Sequence, residues 1–177
     1  NNQKNILFSE YDMNGLILRN RVVMAPMTRN FSPNGVPKDY APTYYARRAQ
    51  GGVGLIITEG VEVSHHAASG YPNCPNLESD DAKRMWEKVV NEVHENNSSI
   101  FCQLWHVGGI RKPGMPPNPE VPGFTPSGYV RPGKKVAHEM SHEEIQELIN
   151  IYSEDTKACE ELGFDGVEIH GAHGYLI

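Results

Sequence analysis

Four short apolar runs, set apart by helix-like segments, constrain this chain more than any other feature. They are "RVVMAP" (Arg21–Pro26), "VGLIITEG" (Val53–Gly60), "SIFCQLW" (Ser99–Trp105) and "DGVEIHG" (Asp165–Gly171). None shows the polar alternation of a half-exposed strand. Such runs are buried on both faces, as in a parallel sheet covered by helices. The intervening segments supply those helices. The later part of "DYAPTYYARRAQ" (Asp39–Gln50) reads as a helix stopped at Gly51-Gly52, where left-handed geometry is available. Ser79 can cap a second helix that runs to about Asn96, with Ala82, Met85, Trp86, Val89, Val90 and Val93 at helical spacing. "SHEE" is a capping box, Ser141 with Glu144. It opens a third helix with Ile145, Leu148, Ile149, Tyr152 and Cys159 on one face, ended by Gly163.

The order is therefore βαβαβαβ. Two architectures offer it, a doubly wound sheet and a (β/α)8 barrel. A dinucleotide-binding sheet places GxGxxG after a strand and before a helix. The one glycine cluster here, "GGVG" at 51–54, precedes a strand. The unusual residues gather instead at the strands' C-terminal ends, in "APMTR", "TEG", "QLWH" and "HGAHGY", which is where barrel enzymes build their sites. The expected fold class is α/β, a TIM barrel of which this chain supplies the N-terminal hairpin region and the first four strands. Residues 1–177 form a single domain, truncated after strand four, because a closed barrel needs eight strands and about 250 residues. A long proline- and glycine-rich loop, roughly 106–140, shapes the pocket rim.

Composition narrows the partners. A net charge of −6 and a pI near 5.7 argue against nucleic acid, and no basic run suggests a membrane patch. There is no apolar stretch long enough to span a bilayer, and "NNQKNILFSEYD" has no signal-peptide pattern. Cys74, Cys102 and Cys159 are odd in number and far apart, so they make neither a disulfide framework nor a CxxC metal site. A reducing cytoplasm is the simplest compartment.

The ordered set "LFSEYDMNGLILRNRVVMAPMTR", "GLIITEG", "QLWHVGG" and "GFDGVEIHGAHGYLI" resembles the old yellow enzyme family of FMN-dependent ene-reductases over the whole chain. The resemblance implies an NAD(P)H-dependent reduction of activated alkenes, α,β-unsaturated carbonyl or nitro compounds, in ping-pong order. Pro26 and Met27 resemble flavin-contacting backbone, and Thr28 the residue that hydrogen-bonds the flavin carbonyl. Gly60 resembles the small residue that lets the second strand approach the flavin ring. Gln103 resembles the amide that pairs with the flavin's pyrimidine edge, and Trp105 a wall that gates substrate pose. His170 and His173 resemble the pair that grips the substrate oxygen, His170 also contacting cofactor, and Tyr175 the acid that protonates the α-carbon.

Blander readings stand beside these. Taken singly, Thr28, Gln103, Trp105 and Tyr175 are an ordinary loop hydroxyl, strand amide, core indole and strand-end ring. Trp86, Met85 and Cys159 are core, and His65-His66 is exposed loop. An HxxH metal site finds no carboxylate or cysteine at matching spacing. Rival functions are a non-catalytic half-barrel module, a dienoyl-CoA reductase-like flavoenzyme and, more distantly, a metal hydrolase. The loops after strands seven and eight, where such barrels hold phosphate, are not in this sequence. Three completions are open: continuation past Ile177, a complementary half-barrel polypeptide, or a second copy of this chain.

Overall fold

A computed structural model describes residues 5–177; the first four residues of the N-terminal stretch read above lie outside the described residues. The chain begins with a hairpin, β1 (Tyr11–Met13) against β2 (Leu16–Leu18). Its turn is Asn14-Gly15, both at positive φ, the pair of residues that a tight hairpin turn favours. There follow β3 (Val23–Met24), α1 (Ala41–Gln50), β4 (Leu55–Glu62), α2 (Asp80–Glu95) and β5 (Ser99–Trp105). After β5 come four very short strands, β6 (Phe124–Thr125), β7 (Tyr129–Arg131), β8 (Lys134–Lys135) and β9 (His138–Glu139). The chain then forms α3 (His142–Glu161) and β10 (Gly166–Ile169).

The main sheet has the order β10-β5-β4-β3, and every pairing in it is parallel. Each crossover carries one helix, so sequence order and spatial order coincide, as in one arc of a (β/α)8 barrel. The core lies between this arc and its helices. Trp86 and Tyr45, at 0% and 1% exposure, anchor it against Ile56, Ile100 and Leu104. Each such side chain stabilises the fold by about 1.5–3 kcal/mol relative to exposure. At the N-terminal end of the arc, Arg19 donates to the backbone carbonyls of Ala49, Val53 and Asn96 and to the Ser98 hydroxyl. It thereby satisfies carbonyls that the ends of α1 and α2 leave free.

Helices start and stop where their caps dictate. The Ser79 hydroxyl accepts from the Ala82 amide at 3.1 Å. Ser141 and Glu144 form the reciprocal box, with the Glu144 carboxylate accepting from the Ser141 amide at 2.7 Å. Gly52 and Gly163 take positive φ just past α1 and α3.

The structure corrects several boundaries. Strand one spans only Val23–Met24, because β4 is its one neighbour among the described residues and Pro26 has no N–H to extend the ladder. Strand two runs past Gly60 to Glu62, through a register shift between Ile57 and Gly60. There the Thr58 hydroxyl, rather than a carbonyl, accepts from the Gln103 amide at 3.1 Å. The 106–140 loop contains a parallel β6·β9 pair and a β7·β8 hairpin. Met85 is only half-buried, and Ile149, expected in the α3 core face, is 55% exposed.

Candidate active site

Register decides which side chains share the concave face. Gly60 and Glu168 both pair with Gln103, and Glu62 pairs with Trp105. In a parallel sheet, paired residues point the same way. His170 extends β10, its amide donating to the Leu104 carbonyl at 3.0 Å. The C-terminal ends of the strands then converge on one cavity of about 620 Å³.

Seven of the nine expected site residues line it: Pro26, Thr28, Gln103, Trp105, His170, His173 and Tyr175. Met27 does not; it is 52% exposed and outside the cavity. Gly60 does not line it either. A Cβ at Gly60 would lie 2.5 Å from Cε3 of Trp105, so its smallness accommodates that indole. A larger groove of about 640 Å³ lies on the outer side, between α3 and the end of β10. It is almost wholly apolar and offers few groups to orient a reactant.

The rings form a tight cluster. The centroids of Tyr175 and Trp105, and of Tyr175 and His170, are each 5.0 Å apart. The His173 ring stands perpendicular to that of His170 at 5.8 Å. His173 and Gly174 both have positive φ, and the Tyr175 amide donates back to the Ala172 carbonyl. That pair of left-handed residues turns the chain sharply, so His173 and Tyr175 face the same cavity as His170. The arm is pinned from outside. The Leu176 amide donates to the His106 carbonyl at 3.2 Å, and a Cβ at Gly108 would sit 2.7 Å from the Leu176 backbone.

Electrostatics suit a neutral site. Burial, and secondarily His173, hold His170 below its ordinary value. Burial, and then the adjacent Tyr71, push Tyr175 up to about 12, so its phenol keeps its proton at neutral pH.

Sequence reading missed four contributors. The Arg29 guanidinium donates to Glu59 at 2.9 and 2.6 Å, and fixes the backbone directly after Thr28. The Gln103 amide donates to the Glu168 carboxylate at 2.8 Å, and Glu168 lines the cavity. Tyr71 stacks on Trp105, and its hydroxyl lies 3.3 Å from that of Tyr175. His65 is not exposed loop: its Nδ1 lies 2.9 Å from Nε2 of the buried His106, and only His66 is exposed. The "ITEG" and "QLWH" motifs hold Glu59 and His106, but no spacing rule links either to its partner. Among the described residues, no group of three or more His, Cys, Asp or Glu side chains is arranged to hold a metal. No helix among them is long and apolar enough to cross a membrane.

A parallel arc whose strand ends gather histidines, a phenol and an amide around one cavity defines the class, half of a (β/α)8 barrel. The chain belongs to the NADH:flavin oxidoreductase / NADH oxidase family, whose model matches residues 6–177. It is 36% identical over 176 residues to 12-oxophytodienoate reductase 1 of Oryza sativa subsp. japonica, an alignment covering 97% of this chain and 46% of that protein. The structure is similar to Old Yellow Enzyme from Pichia sp. AKU4542, with a TM-score of 0.86 and 32% identity, covering 97% of this chain and 47% of the other. It is also similar to morphinone reductase in complex with tetrahydroNAD, with a TM-score of 0.84 and 30% identity, covering 96% and 50%. The chain thus spans about half the length of the relatives it matches.

Proposed function

We propose that this chain forms the N-terminal half of an FMN-dependent oxidoreductase that reduces the C=C bond of activated alkenes with NAD(P)H, in ping-pong order. One observation carries the reading: residues from three separate strand ends line a single cavity with two histidines and a phenol. The residues fit a flavin ring. The buried Gln103 amide gives one N–H to Glu168 and keeps a second N–H and its carbonyl, which suits the donor and acceptor edge of a pyrimidine. Pro26 and Thr28 stand across the cavity from His170 and His173, so flavin and substrate share it. None of the described lining residues is Lys or Arg, so the cofactor's phosphate needs residues from elsewhere in the barrel.

FMN, when bound, would supply the hydride chemistry, with NAD(P)H as the hydride donor. The protein binds and orients. His170 and His173 donate to the carbonyl or nitro oxygen of the alkene, where negative charge develops in the transition state. Tyr175 Oη gives its proton to the α-carbon; a phenol held protonated is a competent acid. Trp105, packed between Tyr71 and Tyr175, fixes the wall against which the substrate lies. The three free, buried cysteines support a reducing, cytoplasmic setting.

The test is a visible spectrum of the 177-residue chain with added FMN, then anaerobic NAD(P)H, then an enone. A bound flavin band that bleaches and returns supports the reading. A second reading, a half-barrel that assembles without catalysis, draws on the exposed Ile149 and Ile169 beside the outer groove. It predicts association of the chain with no stoichiometric flavin.

A further inference from the structure

Behind the ring cluster lies a second, smaller pocket that none of the roles above uses. It measures about 190 Å³ and is lined by Glu62, Ser69, Tyr71 and Cys74, with Asn34 and Pro117 at an exposed rim. Glu62 is 8% exposed, and its Oε1 is buried without a protein partner. Trp105, which pairs with Glu62 in the sheet, likewise has a buried Nε1 without a partner. Buried polar atoms of this kind call for an explanation, and a polar pocket of this size has room for about six waters. Tyr71 forms the partition. Its ring stacks on Trp105 at 5.4 Å between centroids, and its hydroxyl reaches Tyr175 at 3.3 Å.

We propose that Glu62 and Tyr71 form a proton-supply line that recharges Tyr175 from the side away from the substrate. The inference rests on the proton-donor reading of Tyr175. When Tyr175 Oη gives its proton to carbon, the phenolate takes the Tyr71 hydroxyl proton. The Tyr71 oxygen takes one from the Glu62 carboxyl through pocket water, and the carboxylate left behind regains one from solvent at the rim. Each oxygen gains one proton for the one it gives up, so one solvent proton is consumed per turnover. The line reaches Tyr175 from the side opposite the cavity in which the substrate would lie.

The groups around Glu62 suit a proton store. Burial raises its carboxyl to about 7, against the opposing pull of the Ser69 hydroxyl, the Gly70 amide and the Arg111 guanidinium. The Cys74 thiol beside it is pushed far up by burial and by Glu62 and Glu59, so it stays neutral. Glu59 itself is held by Arg29. On the Tyr175 side the facing titratable rings are Tyr71, His170 and His173. His170 is lowered by burial and by His173.

The test is a pH titration from 5 to 9 of the full 177-residue chain carrying 13Cζ-tyrosine and 13Cδ-glutamate. The expected result is one midpoint near 7 shared by the Glu62, Tyr71 and Tyr175 signals. In Glu62→Gln both tyrosine signals lose that step. In Tyr71→Phe the Glu62 step remains and the Tyr175 step disappears. Tyrosine signals that stay flat near pH 7, or that keep the step in Glu62→Gln, overturn the proposal. A loss of fold in either variant shows in the remaining spectrum, and Glu62→Asp, which restores a titrating carboxyl, must then bring the step back. The titration needs no flavin. Coupling without alkene reduction in a complete, flavin-loaded barrel removes the functional reading and leaves only the linkage of the three side chains, and reduction without coupling removes the supply line alone.

Discussion

Arg29 and Glu59 meet at the C-terminal end of the arc, Nη2 2.6 Å from Oε1, with side chains 9% and 0% exposed. The Tyr45 hydroxyl completes the knot, accepting from the Glu59 amide at 3.0 Å, and the guanidinium lies 4.0 Å from the Tyr44 ring centroid. Removing one partner leaves the other buried and unpaired, which costs about 3–5 kcal/mol. Arg29→Met is therefore expected to lower stability by that amount in urea unfolding. The double variant with Glu59→Gln loses less than the sum of the two single ones. Additive losses across the four proteins would mean that the two side chains do not act as a pair.

Gly60→Ala places a methyl group 2.5 Å from Cε3 of Trp105, inside contact distance. The indole has to shift, and overpacking of this kind costs about 1–3 kcal/mol. Because Trp105 stacks on Tyr71 and lines the cavity, its emission changes along with the melting temperature. A variant with unaltered emission and melting would show that the contact relaxes freely.

Tyr175→Phe removes the proposed proton donor and leaves the rest of the ring cluster. In a complete, flavin-loaded barrel it is expected to slow alkene reduction by about 10²–10⁴-fold, the usual contribution of a positioned acid. Reduction of the flavin by NAD(P)H stays near the wild-type rate. Stopped-flow traces of the two half-reactions separate them, and equal slowing of both would take Tyr175 out of the role.

The His65–His106 contact has a pH consequence. The Gly108 amide donates to His106 Nδ1 at 2.9 Å, so the network assigns the ring proton to Nε2, which donates to His65 Nδ1. Both rings are held neutral. Burial, then the other histidines, push His106 down to about 3, and burial, then His66, push His65 down to about 4. Their folded values lie below the unfolded value near 6.5. The stability they confer is thus full above 6.5 and is lost as pH falls through 4 to 3. Glu62, raised to about 7, acts with the opposite sign, its folded form gaining stability as pH falls from 7 towards its unfolded value. The comparison is therefore between wild type and His106→Gln by urea unfolding at several pH values. The variant is expected to lose less stability between pH 6.5 and 4; parallel curves would assign the acid sensitivity elsewhere.

Neighbouring residues on α3 separate the core from the open groove. Leu148 is 7% exposed and Ile149 is 55% exposed. Leu148→Ala is expected to cost about 2–5 kcal/mol, and Ile149→Lys to stay within about 0.5 kcal/mol. Urea unfolding of the 177-residue chain measures both. A large loss from Ile149→Lys would mean that the groove is covered in solution.

The legible part of this molecule was what chain-local patterns encode. Apolar runs without alternation mark β4, β5 and β10, and the Ser141–Glu144 box marks the start of α3 to the residue. The grouping of these candidates around one cavity was legible only through the joint order of the motifs, since Gln103 or Trp105 alone carries no sign of its neighbours. Partnerships across the chain left no such trace. Arg29 and Glu59 lie 30 residues apart, and Tyr71 and Tyr175 lie 104 apart. Both pairs are made by register and curvature, which no local spacing records. Strands of two or three residues, as in β6 to β9, are too short for a period to show. At Gly60 a missing side chain does not say which neighbour needs the room, and the Trp105 contact was not legible.

The close approach of Gly108 to Leu176 makes the arm from His170 to Tyr175 a self-contained part. It is fastened to the loop after β5, through the Leu176–His106 bond and the Gly108 contact. A transplant of residues 106–176 would carry both fasteners, and with them the two histidines and the phenol. For protein engineering, a join placed after Leu176 accordingly keeps this fastening whole.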